Sequence, residues 1–246
     1  MSIESEADLE GLRAAGRVVA RAIRAMRGRV RPGISTGELD RVGARIFSQA
    51  GARSGPQLAY DFPGVNCISV NDEAVHGIPG RRRLREGDLV KLDVTAELNG
   101  YYADACVTVP VGTVAASRMR LISAGHAALN RAIGIARAGT PINHIGQAVH
   151  STVTDRGYSV CPELAGHGIG RDVHEWPTVP NYPEPTLSQP LTAGLVITVE
   201  PIICTGSGAV FQDRDGWTIK TQDGTVAAHV EHTIVITDEA PIIITA

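Results

Sequence analysis

Val90-Lys-Leu-Asp93-Val-Thr95-Ala-Glu-Leu-Asn99-Gly100-Tyr-Tyr-Ala-Asp104-Ala-Cys-Val-Thr-Val109 reads as a β-hairpin, and the rest of the chain can be ordered around it. Asn-Gly readily supplies the two successive positive φ angles of a type I′ turn, whose twist matches that of the strands it joins. A turn at Asn99-Gly100 sets Leu98 opposite Tyr101, and the register then sets Thr95 opposite Asp104. Side chains alternate between faces along a strand, so Asp93 falls on the face of Asp104 as its diagonal neighbour, about 7–8 Å away between backbones. Val90, Leu92, Val94, Val107 and Val109 make the opposite face apolar. Aspartate is depleted from strands and like charges on one face repel, so a cation is expected between the two carboxylates. Lys91 shares that face by parity and is expected to point to solvent.

Upstream of the hairpin, Leu9, Leu12, Val19, Ile23 and Met26 recur at three- and four-residue spacings between Ala7 and Arg27, the pattern of an amphipathic helix. A second helix should follow. Ser35 and Glu38 have the form of a capping box, and Leu39, Val42, Ile46 and Phe47 keep helical period until Gly51. The same order returns downstream: Arg31-Pro-Gly33, a polar cap, Leu39, Phe47 and Gly51 align with Arg137-Ala-Gly139, Thr140-Pro141, Ile145, Val153 and Gly157. At nearly the same offset Asp93 aligns with Glu200, each inside a strand-like run, Val90 to Leu98 and Leu195 to Glu200. Such self-similarity predicts two related helix-plus-hairpin halves with a site where they meet.

Further strands are expected at Val65 to Val70, Gly216 to Gln222 and Thr225 to Thr237, which are rich in β-branched and alternating residues. Trp176 to Pro190 holds five prolines and is expected to be an ordered loop. At 246 residues with 43% hydrophobic content, a single domain spanning residues 1–246 with mixed α and β structure is the natural expectation. The net charge of −3, with no basic window interleaved with aromatics, gives no reason to expect nucleic acid; Arg81-Arg82-Arg83 lies between Gly80 and Gly87 as a solvated turn. No run of 18 apolar residues is present and the first residues are acidic (Glu4, Glu6, Asp8), so no membrane span or signal peptide is expected and the cytoplasm is the expected location. Cys67, Cys106, Cys161 and Cys204 form no C-x-x-C pair, which argues for reduced thiols rather than a disulfide framework or a zinc knuckle.

Three more acidic or imidazole groups stand in unusual settings. His167 lies within Gly166-His-Gly-Ile-Gly170, Glu200 closes Thr198-Val-Glu-Pro201, and Glu231 opens Glu231-His-Thr233 beside the apolar Ile234-Val-Ile236. The glycines around His167 suggest close approach to a ligand. Gathering four carboxylates in a dry cleft without cations would cost several kcal/mol per charge or force protonation. Two divalent ions cancel the charge of Asp93, Asp104, Glu200 and Glu231, and bridging carboxylates suit ions about 3.5–4 Å apart. Oxygen-dominated ligation with one imidazole suits Mn, Fe, Co or Zn without choosing among them.

Cys67-Ile-Ser-Val-Asn71, His76-Gly-Ile-Pro79, Gly87-Asp-Leu-Val90, Asp93-Val-Thr95, Asp104, Gly166 to Gly170 with His174, Thr198-Val-Glu-Pro201 and Glu231-His-Thr233 together resemble the type I methionine aminopeptidases. The resemblance covers essentially the whole chain. It implies an α+β pita-bread fold, with two pseudo-symmetric helix-plus-hairpin halves around a curved antiparallel sheet. It implies that Asp93 binds one metal, that Asp104 and Glu231 bridge, and that His167 and Glu200 bind the other. His76 and His174 would be non-ligand histidines beside the scissile bond, Glu200 a proton carrier, and Phe62, Cys67 and Trp217 parts of a methionine pocket. The implied partner is the N-terminus of nascent polypeptides near the ribosome, approached by a monomer.

Some positions depart from the resembled pattern. Val173 stands where phenylalanine is frequent, His229 where glutamine is common, Lys91 where asparagine is frequent, and Pro56 to Asp61 matches poorly. His126, His144, His150, His229 and His232 are expected to be structural. Two alternatives compete: a proline-directed peptidase of the same fold, whose relatives usually carry a large extra N-terminal domain, and a non-catalytic peptide- or ribosome-binding module, which would have lost ligands.

Overall fold

The turn at Asn99-Gly100 forms as the dipeptide requires, with φ of 52° and 82°. It joins strands Leu89–Leu98 and Tyr101–Pro110 with Leu98 opposite Tyr101 and Thr95 opposite Asp104, the register expected from the sequence. The computed structural model describes every residue from Met1 to Ala246. Its helices are α1 (Glu6–Arg27), α2 (Thr36–Ala50), α3 (Gly55–Tyr60), α4 (Ala116–Ile135) and α5 (Ile142–Thr154). None is long and apolar enough to cross a membrane.

Two halves are built alike. In the first, the apolar face of the hairpin (Val90, Leu92, Val94) packs on Leu12, Val19, Met26 and Leu39 of α1 and α2 in a core of 25 buried residues. In the second, α4 and α5 cover Ile197, Val199, Ile203 and Ile234 in a core of 24. The aligned glycines have matching backbones: Gly33 and Gly139 have φ of 88° and 83°, and Gly51 and Gly157 have φ of 69° and 77°. Ser35 caps α2 reciprocally with Glu38, whereas α5 begins at Pro141 without a side-chain cap.

The strands form four antiparallel groups. Leu89–Leu98 pairs with Tyr101–Pro110 and also with Cys67–Val70 and Arg53–Ser54. A five-stranded sheet runs Ile242–Ile243, His232–Val235, Val196–Val199, Ala165–Gly168, Glu175–Pro180. Ala227–His229, Ile202–Cys204 and Ser159–Val160 form a third group; Val210–Gln212, Ile219–Thr221 and Glu73–Val75 form a fourth.

Several expectations need correction. The run Thr225 to Thr237 is two strands in different sheets, because Val230 and Glu231 leave the ladder and their amides bond the carbonyls of Pro201 and Cys106. The Trp176 to Pro190 loop begins within the edge strand Glu175–Pro180, where Pro177 and Pro180 are tolerated because an edge leaves ladder positions unpaired. Lys91 does not reach solvent. It is 1% exposed, since the Ala227–His229 strand of the other half covers the face that parity assigned to water. Its ammonium donates to the carbonyls of Asn71 at 2.8 Å and Ala227 at 3.4 Å, and burial brings its pKa down to about 7.

Candidate metal centre and substrate cavity

The ten residues singled out in the sequence, Phe62, Cys67, His76, Asp93, Asp104, His167, His174, Glu200, Trp217 and Glu231, all line one cavity of about 440 Å³. They come from both halves. The hairpin contributes Asp93 and Asp104, whose carboxyl groups meet as the register requires. Ala165–Gly168 contributes His167, the end of Val196–Val199 contributes Glu200, and the break between two strands contributes Glu231. Donor atoms of Asp104, His167 and Glu231 all lie within 4.8 Å of one another, close enough to hold one ion.

Threonines fix these groups. Thr95 donates to Asp104 Oδ2 at 2.8 Å, and Thr233 exchanges hydrogen bonds with the Asp104 backbone. Thr198 donates to Glu200 Oε1 at 2.8 Å and accepts the His167 amide at 3.0 Å. His167 Nδ1 lies 2.9 Å from the carbonyl of Gly168, so Nδ1 carries the proton and Nε2 is left as an acceptor turned toward Glu200 Oε1, 3.5 Å away. The sequence signal for these threonines is spacing: Asp93-x-Thr95 and Thr198-x-Glu200 each place a hydroxyl on the face of a carboxylate, and Glu231-x-Thr233 repeats the interval.

The glycines flanking His167 act differently from expectation. A side chain on Gly166 would meet the Thr198 carbonyl at 2.7 Å, and one on Gly168 would overlap the Trp176 carbonyl. They permit close strand packing on either side of the imidazole.

The cluster lacks compensating positive charge. Burial pushes the carboxyl of Glu200 up to about 8 and that of Asp104 to about 6. Asp93 and Glu231 are raised well above the carboxylate range by burial and by their acidic neighbours. Burial holds His167 neutral, its pKa lowered to about 3. Asp104 Oδ1 is buried without a hydrogen-bond partner. An anionic oxygen left unpaired among acids fits a cation.

Much of the remaining wall is apolar or aromatic. Phe62 and Trp217 meet edge to face at 5.2 Å, and Cys67, Val75 and Val173 line the same cavity. His76 follows the strand Glu73–Val75, which pairs with Ile219–Thr221, and takes a left-handed φ of 57°, uncommon for a residue with a side chain. His174 lies in the turn before Glu175–Pro180, where Glu175 Oε1 accepts the amides of Arg171 and Asp172. Its ring centroid lies 4.0 Å from that of His167 with the planes tilted by 50°, and its Nδ1 meets the hydroxyl of Tyr60.

His229 departs from the structural role expected of it. It is buried on the cavity wall with Nε2 3.5 Å from Glu231 and 3.7 Å from Glu200. By contrast His232 Nδ1 bonds the Thr245 hydroxyl, away from the cavity.

Comparison with known proteins agrees with this arrangement. The profile of metallopeptidase family M24 matches residues 10–238. The chain belongs to that family. Among M24 relatives it is 42% identical over 247 residues to methionine aminopeptidase 2 of Bacillus subtilis, covering all of this chain and 99% of that one. It superposes on the crystal structure of methionine aminopeptidase from Rickettsia prowazekii with TM-score 0.96 and 35% identity, each chain covered in full. The prolidase of Pyrococcus furiosus shares the fold at TM-score 0.81 and 23% identity, with 99% of this chain covering 65% of that enzyme. The two-halved pita-bread fold is thus common to this M24 chain and both structures.

Proposed function

We infer that this chain is a metal-dependent aminopeptidase that removes N-terminal methionine, the initiator residue of nascent proteins, when the second residue is small. The observation that carries this reading is four carboxyl groups, three of them buried, and the neutral imidazole of His167 on the wall of a cavity that apolar and aromatic side chains also line. Asp93, Asp104, His167, Glu200 and Glu231 would hold two divalent ions, with Mn, Fe, Co and Zn the candidates. Bound there, such a pair supplies Lewis acidity toward the scissile carbonyl and acidifies water toward neutral pH.

The chain's own groups do the rest. With the Tyr60 hydroxyl on Nδ1, His174 presents Nε2–H to the cavity as a donor for the carbonyl oxygen. His76 steadies the scissile amide from the opposite half. Glu200 carries the proton from water to the departing amine, a role worth about 10²–10⁴ in rate. Phe62, Cys67 and Trp217 enclose the unbranched methionine side chain. Residues 1–246 act as one catalytic domain, a cytoplasmic monomer working on nascent chains near the ribosome.

Cleavage of Met-Ala and Met-Gly peptides by purified protein, before and after chelation, tests the reading. Turnover is expected only with a divalent metal; full activity in a metal-free preparation overturns it.

A further inference from the structure

His229 ends the strand Ala227–His229 with its ring 2% exposed and neither ring nitrogen hydrogen-bonded. Buried polar atoms are rarely left unpaired, and two on one ring call for an explanation. The ring has little room to swing, being 2% exposed, and its backbone is fixed by Thr108: the His229 amide donates to Thr108 Oγ1 at 2.9 Å, and that hydroxyl donates back to the His229 carbonyl at 2.7 Å.

The direction of the ring narrows the explanation. Nε2 lies 3.5 Å from Glu231 Oε2 and 3.7 Å from Glu200 Oε2, too long for hydrogen bonds. With metal–ligand distances of about 2.0–2.2 Å, two donors sharing an ion stand roughly 3–4 Å apart, the spacing observed here. His167 Nε2 stands 3.5 Å from the other oxygen of Glu200, so this carboxyl group lies between two imidazoles.

We infer that His229 is a sixth protein donor of the metal centre, its Nε2 binding beside Glu200 and Glu231. This rests on the metal-dependent reading above and extends it. A second imidazole makes the centre richer in nitrogen, which favours borderline ions such as Zn, Co or Fe over Mn.

The test counts imidazoles and measures affinity, apart from turnover. X-ray absorption of the Co(II)-loaded wild-type protein is expected to show imidazole scattering from two histidines per dinuclear centre, falling to one in His229→Gln. Competition against a chelator is expected to show Co(II) and Zn(II) binding weakened at least 10–100-fold in His229→Gln and His229→Ala, with Mn(II) less affected. One imidazole per centre in the wild-type protein overturns the inference even if the variants fail to fold. Unchanged Co(II) affinity in a folded variant overturns it as well. Failure of the wild-type protein to bind any divalent ion overturns the metal-dependent reading itself.

Discussion

The Thr198 hydroxyl donates to Glu200 Oε1 at 2.8 Å while it accepts the amide of His167 at 3.0 Å, so one side chain sets two of the groups that face the cavity. Thr198 is fully buried, and no water can replace it cheaply. In Thr198→Val the shape is kept but the donor and acceptor go. Metal affinity is expected to fall about 10–100-fold, as for other partners that orient ligands, with a loss of about 1–3 kcal/mol in stability from the unpaired His167 amide. Thr198→Ser should restore both. Isothermal titration with Co(II) and urea unfolding read the two effects, and an unaltered valine variant would remove Thr198 from the site's support.

Ligand and proton-handling roles separate by metal content. Asp104→Asn and Glu231→Gln each remove an anionic oxygen from the centre, so bound metal and activity should fall together. His174→Ala should keep its metal and lose mainly kcat, by about 10²–10⁴, because the lost donor acts on charge that develops in the transition state. Elemental analysis beside steady-state kinetics distinguishes the cases; normal turnover of the His174 variant counts against its role.

Without metal, stability should depend on pH in a defined sense. Glu200, raised to about 8, and Asp93 and Glu231, raised well above their ordinary range, bind protons more tightly folded than unfolded. A carboxyl group of this kind destabilises the fold progressively as pH rises from its unfolded value near 4 to its folded value. Below about 6.5 the neutral, buried His167 and His229, both lowered to about 3, act in the opposite sense. Above 7 Lys91 and Cys204, brought down to about 7 and about 6, oppose, and they are two groups against three raised acids. The metal-free protein should therefore lose Tm between about pH 6.5 and 8, and a divalent ion should raise Tm most at the upper end. Thermal melts with and without chelator check this, and a metal-free Tm that climbs across the interval contradicts it.

The legible parts of the fold were those set by local chemistry. Asn99-Gly100 gave the hairpin register to the residue, and Ser35 with Glu38 gave the start of α2, because turn and cap act within four residues. The pairing of halves was legible from Gly33, Gly51, Gly139 and Gly157, and the ten candidate residues face one cavity. What escaped depends on the other half of the molecule. Lys91 looked solvent-bound because nothing near it in sequence announces the Ala227–His229 strand lying over it, and His229 looked structural for the same reason. The break at Glu231 was hidden because Thr225 to Thr237 keeps strand composition through it; only the long-range bond to the Cys106 carbonyl draws residue 231 out of the ladder.

The pocket offers the sharpest test of substrate choice. Val173 is buried on the cavity wall beside Gly55, where its Cγ2 would lie 3.3 Å from any side chain added at that glycine. Phe62 and Trp217 meet edge to face along the same cavity, and Tyr60, also on its wall, is 43% exposed and bonded to His174. A valine at 173 takes up less of the cavity than a larger side chain would. Selectivity for an unbranched thioether over leucine rests on burial and shape, and one methylene in an apolar pocket is worth only about 1–3 kcal/mol. The natural protein should therefore cleave leucine and norleucine N-termini measurably, with methionine preferred. Val173→Phe should lower kcat/KM for leucine more than for methionine, by about 10-fold or more, as the ring takes the space a branched chain needs. Val173 is buried, so the larger ring adds volume to a packed wall, and a modest stability loss of about 1–3 kcal/mol should accompany the change. Negligible leucine cleavage in the natural protein, with the leucine-to-methionine ratio unchanged in a folded Val173→Phe, would show that position 173 does not shape the pocket.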